Sequence, residues 1–249
     1  MKFAVVTPCF NPGHYLIDAL RSVVGQDGDL SLHYHVQDGG STDGTIEILQ
    51  DQERLLRCGA IPAQCRELTF SYASEPDNGM YDAINRGFRH ILGQGEPEAM
   101  LWINADDKLA PGALARIAAY LDRRPDVDWL IGRTLLLDAQ GRTTFSRPPI
   151  RYRSQNLAAG RHNGDCLPYV TQEATAWRSR LWKQCGELDA SLRYAGDFEY
   201  WVRAAQQGFA LHSEDMMVGY HRKRPGQLST IGCYADEIRL VLLRSAVRS

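Results

Sequence analysis

No stretch of this 249-residue chain holds the ~18 consecutive apolar residues that a membrane-crossing helix needs. An excess of charge of one sign is lacking too. The chain has 28 Lys and Arg against 30 Asp and Glu, a net charge of -2, which excludes a nucleic-acid binder working through bulk positive charge. The six cysteines, Cys9, Cys58, Cys65, Cys166, Cys185 and Cys233, form no Cys-x-x-Cys pair. Their even count would suit disulfides, but the chain is long and no export signal precedes it. Free, mostly buried thiols in a reducing compartment are therefore expected. Met1-Lys2 runs straight into Phe3-Ala4-Val5-Val6, which is too short for the apolar region of a signal peptide. The expectation is a cytoplasmic protein, with peripheral contact at the inner face of a membrane left open. There is no internal repeat, low-complexity tract or linker.

What is present begins with an ordinary 44% of hydrophobic residues, enough for a sizeable core. Phe3 to Thr7 reads as a buried strand, and Tyr15, Leu16, Ala19, Leu20, Val23 and Val24 recur at helical spacing over roughly 13–26. Strands are expected at His33 to Asp38, Leu68 to Ser74 and Met100 to Ile103. Helices are expected around Ile46 to Leu49, over Met80 to Leu92 and from Pro111 to Leu121. This βαβαβαβα order predicts a parallel sheet with helices on both faces. After Asp126 the pattern changes. Trp129 to Leu137 and Arg142 to Phe145 flank a hairpin turn at Asp138-Ala139-Gln140-Gly141. Arg147 to Gly164 reads as a loop and Tyr169 to Trp177 as a strand. A helix follows Ala195-Gly196-Asp197, two extended pieces cover Phe209 to His212 and Met216 to His221, and a last helix covers Tyr234 to Val247. The chain is expected to be one domain, 1–249, with a first lobe over 1–125 and a second over 126–249.

Acidic residues recur where apolar runs end: Asp38 after His33 to Gln37, Asp77 after Leu68 to Ser74, and Asp106-Asp107 after Met100 to Ile103. A carboxylate at the exit of a buried strand is expensive to place for packing alone. In an open α/β sheet such exits share the edge where ligands bind. Several carboxylates on that edge suggest a cation and, beside it, a polyphosphate the cation can neutralise.

These motifs resemble the family 2 glycosyltransferases of the GT-A fold. The resemblance runs from Val5-Val6-Thr7-Pro8-Cys9-Phe10-Asn11 to Pro225-Gly226-Gln227-Leu228-Ser229, with four motifs in order. It implies a Rossmann-like, mostly parallel sheet with a smaller mixed acceptor lobe. It also implies inverting transfer of a sugar from a nucleotide diphosphate donor with a divalent cation, Mn²⁺ or Mg²⁺. The acceptor would be a glycan or a lipid-linked glycan; nucleic acid is not an expected partner, and oligomerisation is left open. By resemblance Asp107 holds the metal and Asp106 the donor ribose. Asp38 contacts the base, which suits UDP, although dTDP presents the same N3–H. Asp77 lies nearby, and Thr7, Pro8, Phe10 and Asn11 line the first strand exit. Tyr81 and Asn85 face the donor. Asp82 divides evenly between the pocket and an i,i+4 pair with Arg86. Asp197 matches the Asp of the family's Glu-Asp motif and is the expected base, whereas Glu199 has Arg203 four residues on to pair with. Gln172, Glu173 and Trp177 would approach the sugar, with Trp177 more readily read as core. Arg142, Arg147, Arg151, Arg153 and Arg161 read as surface charge or as a contact for anionic lipid.

The sequence departs from the family at two places. Gly196 stands where an acid usually precedes the base. Arg224 stands in the place of the His in the usual Arg-x-His, so the Arg would neutralise the diphosphate directly; His221 is the alternative substitute for that His, although a lone histidine is more often packing or solvated. Two other functions compete: a nucleotide-sugar-binding protein without transferase activity, and a sugar-1-phosphate nucleotidyltransferase. The latter would need a Gly- and Arg-rich loop after the first strand, where this chain has Thr7-Pro8-Cys9-Phe10-Asn11.

Overall fold

A computed structural model describes residues 1–146, 150–227 and 234–248, without the side chains of 246–248. Arg147, Leu228, Ser229 and Cys233, named above, lie outside the described residues. Four parallel strands carry the first half: β1 (Lys2–Cys9), β2 (Gly28–Asp38), β3 (Cys65–Ser74) and β4 (Ala99–Trp102). Helices α1 (Tyr15–Val24), α2 (Thr45–Arg57) and α3 (Met80–Leu92) connect them. The side-by-side order is β3-β2-β1-β4, so all four carboxyl ends emerge on one edge. The two central strands are buried almost throughout, as a parallel sheet covered on both faces requires.

The sheet then turns mixed. A two-residue strand, β5 (Lys108–Leu109), and α4 (Ala113–Arg123) lead to β6 (Trp129–Leu137) and β7 (Thr143–Ser146). Next come α5 (Ser154–Ala158), a 3-10 turn at Gln172–Ala174, β8 (Thr175–Arg178), α6 (Ser179–Cys185), α7 (Gly196–Gln206), β9 (Leu211–Arg222) and α8 (Tyr234–Arg248). Strand β8 runs antiparallel between β4 and β6, and β9 pairs parallel to β6 and antiparallel to β5. One sheet thus runs through both halves of the chain.

The second half differs from expectation in detail. Tyr169 to Trp177 is not one strand: its middle tightens into the 3-10 turn, and only Thr175–Arg178 pairs. The two pieces expected at 209–212 and 216–221 are one strand, β9, whose pairing to β6 shifts register between Ile131 and Thr134. Periodicity cannot see this, because a bulge breaks the alternation that marks a strand. Helix α6 escaped notice because seven residues carry too few turns for a pattern.

All five tryptophans meet between sheet and helices. Trp201 of α7 stacks on Trp102 at 5.7 Å and on Trp129 at 5.1 Å, and Trp177 packs edge-on to Trp102 and Trp201. Phe88 bridges Trp177 and Trp182. Each such pair adds roughly 0.5–1.5 kcal/mol beyond area burial, so α7 is fixed to the end of β4. Trp177 is core and fully buried. Among the described residues the cysteines are free, with Cys9, Cys65 and Cys185 buried and Cys58 and Cys166 exposed.

A histidine cluster lies between β2 and α3. His35 stacks on His90 at 4.3 Å, and Ser71 of β3 hydrogen-bonds both His33 and His35. Burial, helped by the neighbouring His90, lowers both His33 and His35 to about 4. The unfolded chain protonates such rings near ~6.5. Each therefore works against folding as pH falls from about 6.5 to 4, and not above that window. Ring NMR spectra should show both imidazoles neutral at pH 5.5; a titration midpoint near 6.5 for either would refute this.

Candidate active site

The parallel edge is organised by short loops. Asp38, at the end of β2, is fully buried, and its carboxylate accepts from the N–H groups of Gly40 (3.1 Å) and Ser41 (2.9 Å), from Ser41 Oγ (2.5 Å) and from Ser74 Oγ (2.7 Å). This Asx-type turn folds the loop. A Cβ at Gly39 would lie 2.8 Å from Asp77 Oδ2, so glycine lets the loop close on that carboxylate. Asp77 Oδ1 accepts the N–H of Gly79 (2.8 Å), and among the described residues no donor reaches its Oδ2. Burial raises the Asp77 carboxyl above its ordinary value. Asn11, at φ 46, binds Ser41 and Thr42 from across the loop. Beside it Phe10 is 67% exposed.

Beyond β4, three donor groups converge. A carboxylate oxygen of Asp107, one of Glu173 and a ring nitrogen of His221 all lie within 4.8 Å of one another. Asp107 is buried, and the N–H of Arg222 (2.9 Å) and Nδ2 of Asn104 (3.2 Å) hold its two oxygens. His221 Nδ1 stands 3.4 Å from Asp107 Oδ1. Burial lifts Asp107 to about 6, with Asp106 and Glu173 adding repulsion and His221 opposing it. Burial alone would lower His221, but the hydrogen bond to Asp107 and the charges of Glu173, Asp107 and Asp106 prevail and raise it to about 9. Two buried carboxylates around an imidazole fit a hard divalent ion, which takes oxygen and imidazole ligands and replaces the ring proton.

Two tethers set this cluster. Gln172 donates to the Trp102 carbonyl (2.6 Å) and accepts from Asn104 (3.2 Å), tying the 3-10 turn to the end of β4. On β9, Gly219 lies so close beneath the Glu173 carbonyl that any Cβ there would collide with that backbone. Next to the cluster, Asp106 Oδ2 pairs with Arg224 Nε (2.7 Å) and accepts from Gln227 (3.2 Å). The buried Arg222 braces the loop through the Asp106 carbonyl (2.9 Å) and Asp18 (2.6 Å). The guanidinium groups of Arg222 and Arg224 both lie over the Tyr15 ring, at 5.1 and 5.3 Å.

Asp197 stands in the first turn of α7. Its Oδ1 accepts from Phe198 N–H (2.8 Å), Tyr81 OH (3.3 Å) and Tyr234 OH (3.5 Å). Burial pushes its carboxyl up to about 6, and the charge of Glu173 adds to that. Glu173 thus bears electrostatically on both Asp107 and Asp197, and the Trp201–Trp102 stack holds α7 against β4.

The glycosyl transferase family 2 profile matches residues 4–166, well over half of the chain. The chain belongs to glycosyl transferase family 2. An uncharacterized glycosyltransferase of Mycobacterium tuberculosis is 29% identical over 209 residues, 81% of this chain and 68% of that protein. A PGL/p-HBAD biosynthesis glycosyltransferase of Mycobacterium bovis is 26% identical over 208 residues, with the same coverage of each. Among solved structures, S. aureus TarS 1–349 in complex with UDP-GlcNAc superposes with a TM-score of 0.70 at 20% identity, covering 99% of this chain and 66% of that one. The Pyrobaculum calidifontis mannosyltransferase PcManGT, in complex with GDP-Man and Mn²⁺, gives 0.66 at 17% identity over 99% and 64%. The chain spans 39% of a longer TarS structure. The α/β fold with its curled, mixed sheet is that of the GT-A glycosyltransferases.

Seen in this family 2 member, several expected residues stand elsewhere. Thr7 and Pro8 lie in the last residues of β1 with their side chains buried, and Thr7 Oγ1 meets Tyr34 OH at 3.0 Å. Asn85 does not face the edge: its amide clamps the Leu188 backbone from both sides (2.9 and 3.0 Å). Asp82 Oδ2 accepts from Asn78 N–H (3.0 Å) and Arg86 (2.9 Å), which lowers its carboxyl and closes the entry to α3. Asp38 presents no open oxygen, because five donors, Cys9 Sγ included, surround it. Glu199 pairs with Arg203 at 2.7 Å. Of the two candidates for the place of the family His, His221 stands beside Asp107 and Arg224 pairs with Asp106. Glu173 as a potential ligand, and Tyr81 and Tyr234 as contacts of Asp197, had no signal of their own. Each sits far along the chain from the group it meets, and the family profile ends before Glu173.

Proposed function

We propose that this protein transfers a sugar, with inversion, from a nucleoside diphosphate donor, a UDP-sugar, to a hydroxyl of a glycan or lipid-linked glycan. The observation that carries the reading is the pairing of two sites. One is a cluster of Asp107, Glu173 and His221 at the parallel edge; the other is Asp197, lifted to about 6 on the neighbouring helix. Asp107, Glu173 and His221 would hold Mn²⁺ or Mg²⁺, which when bound neutralises the charge that develops on a departing diphosphate. Arg224 supplies a further cation for that diphosphate, and Asp106 offers its Oδ1 to the ribose. Phe10 offers an exposed ring face to the base. Asp77, with an oxygen that no donor reaches among the described residues, replaces Asp38 as the carboxylate that accepts an imide N–H. Asp38 keeps the loop in shape. Asp197 takes the proton of the attacking hydroxyl, and a carboxylate with a pKa near 6 is a better base than an ordinary one yet still ionised at neutral pH.

No described helix is long and apolar enough to cross a membrane, so a lipid-linked acceptor would be met at a membrane surface. Calorimetric titration with UDP-, GDP- and dTDP-sugars, with and without Mn²⁺, tests the assignment. The expected result is heat for the UDP-sugar that grows sharply with Mn²⁺. No binding of any of the three in either condition would end the reading.

A further inference from the structure

Asp197 is held by more than its own helix. All three donors from other residues converge on Oδ1, and among the described residues no other residue's donor reaches Oδ2. Two of the three are phenols from distant elements, Tyr81 of α3 and Tyr234 of α8. Helix α8 also acts one step back. The carboxylate of Glu237 accepts three successive N–H groups, from Arg193 (2.8 Å), Tyr194 (2.7 Å) and Ala195 (2.8 Å). These donors immediately precede α7, where a free helix start leaves N–H groups unpaired, and charged acceptors make the stronger bonds. The network closes on itself: Tyr194, fixed by Glu237, gives its carbonyl to Tyr81 OH at 2.8 Å, and the same hydroxyl stands 3.3 Å from Asp197 Oδ1.

Gly196 records how tightly this is built. A Cβ at that position would lie 2.7 Å from two carbons of the Tyr81 ring. Its φ is outside the left-handed range, so the ring, not a backbone turn, calls for glycine. The residue that departs from the usual acid is therefore the one that seats Tyr81 against the base.

We infer that Tyr81 and Tyr234 are positioning residues that hold Asp197 by Oδ1 and reserve Oδ2 to receive the acceptor's proton, and that Glu237 positions the backbone leading into Asp197. This rests on Asp197 being the base. The acceptor O–H breaks and Oδ2–H forms. The acceptor oxygen bonds the anomeric carbon, and the bond from that carbon to the diphosphate breaks with its electron pair going to the diphosphate. The phenol hydrogen of Tyr81 has two acceptors. It leans to Oδ1 while Asp197 is charged and to the Tyr194 carbonyl once Asp197 is neutral, so the site stays satisfied in both states. The other titratable groups around Asp197 are Glu173 on the 3-10 turn and Tyr169 and His162 on the segment between α5 and that turn. His162 is tied to the Pro168 carbonyl at 2.8 Å.

Tyr81→Phe keeps the ring that packs on Gly196 and removes only the hydroxyl. With a UDP-sugar donor and Mn²⁺, kcat should fall roughly tenfold, the scale of one lost hydrogen bond to a charged group. The donor KM should be unchanged. The acid limb of the kcat profile should move to higher pH, since the carboxylate loses a donor that favours its charged form. Glu237→Gln should lower kcat without moving that limb. A Tyr81→Phe enzyme with wild-type kcat and pH profile, beside an inactive Asp197→Asn, would overturn the positioning role alone. An active Asp197→Asn would overturn the base assignment and this inference with it.

Discussion

Asp107→Asn is expected to lower transfer by more than the roughly 10- to 100-fold typical of a residue one step removed from a metal. It should also remove the dependence of donor binding on Mn²⁺. The change is nearly isosteric. The amide oxygen can still accept the Arg222 N–H at 2.9 Å, so the link from β9 to the β4 exit is kept while the Asn104 contact to the other oxygen is lost. What disappears is a buried charge. Without it, one of the three groups within 4.8 Å no longer attracts a cation. His221 keeps an oxygen to bond but loses the charge on Asp107 that opposes its burial, and its pKa should fall from about 9. Binding of Mn²⁺ followed by electron paramagnetic resonance reads the first effect, and the His221 ring resonances in the metal-free protein read the second. A variant that binds Mn²⁺ as tightly as the parent would show that the cluster is a buried ion pair and no more.

The first half of the chain was legible because its signals are local. Each strand of the parallel half is a short apolar run ending in a turn former, and α3 follows its periodicity from Met80 to Leu92 without error. The acidic residues after β2, β3 and β4 announced the edge, since charge at a buried strand's end demands a reason. The roles of those residues were less legible than their positions. Asp38 looks from the sequence like a ligand contact and Asp82 like either a ligand contact or a helix pair; in the structure both close loops, because Ser41, Ser74, Asn78 and Arg86 lie within reach. The second half hides its site in long-range contacts. Glu173 meets Asp107 across 66 positions only because Gly219 lets β9 run under the 3-10 turn. His221 reaches Asp107 because β9 pairs with β5 next to it, and a lone histidine in a basic stretch gives no hint of that register. Tyr81 touches Asp197 across 116 positions. No spacing rule reports such a pair; the nearest clue was a negative one, the glycine at 196.

Asp197→Asn is expected to cut kcat by roughly 10²- to 10⁴-fold, the span over which a positioned general base contributes, while leaving UDP-sugar affinity within a few-fold of the parent. The two effects separate because the residues proposed to hold the nucleotide, Phe10, Asp77 and Asp106, lie on the parallel edge, and Asp197 belongs to α7. The stack of Trp201 on Trp102 and Trp129 fixes that helix independently of its first turn. An amide oxygen at Oδ1 can go on accepting from Phe198 and Tyr81, so the loop should not rearrange. Only the capacity to take a proton is lost. In the parent enzyme the same capacity should vanish as pH falls through about 6, because the proton that burial helps Asp197 to hold blocks the oxygen that must accept the next one. The acid limb and the substitution are thus two ways of disabling one atom pair. The variant's residual rate should be flat across that limb, where the parent's rises. A residual rate that still climbs through pH 6 would assign the proton acceptor to another group.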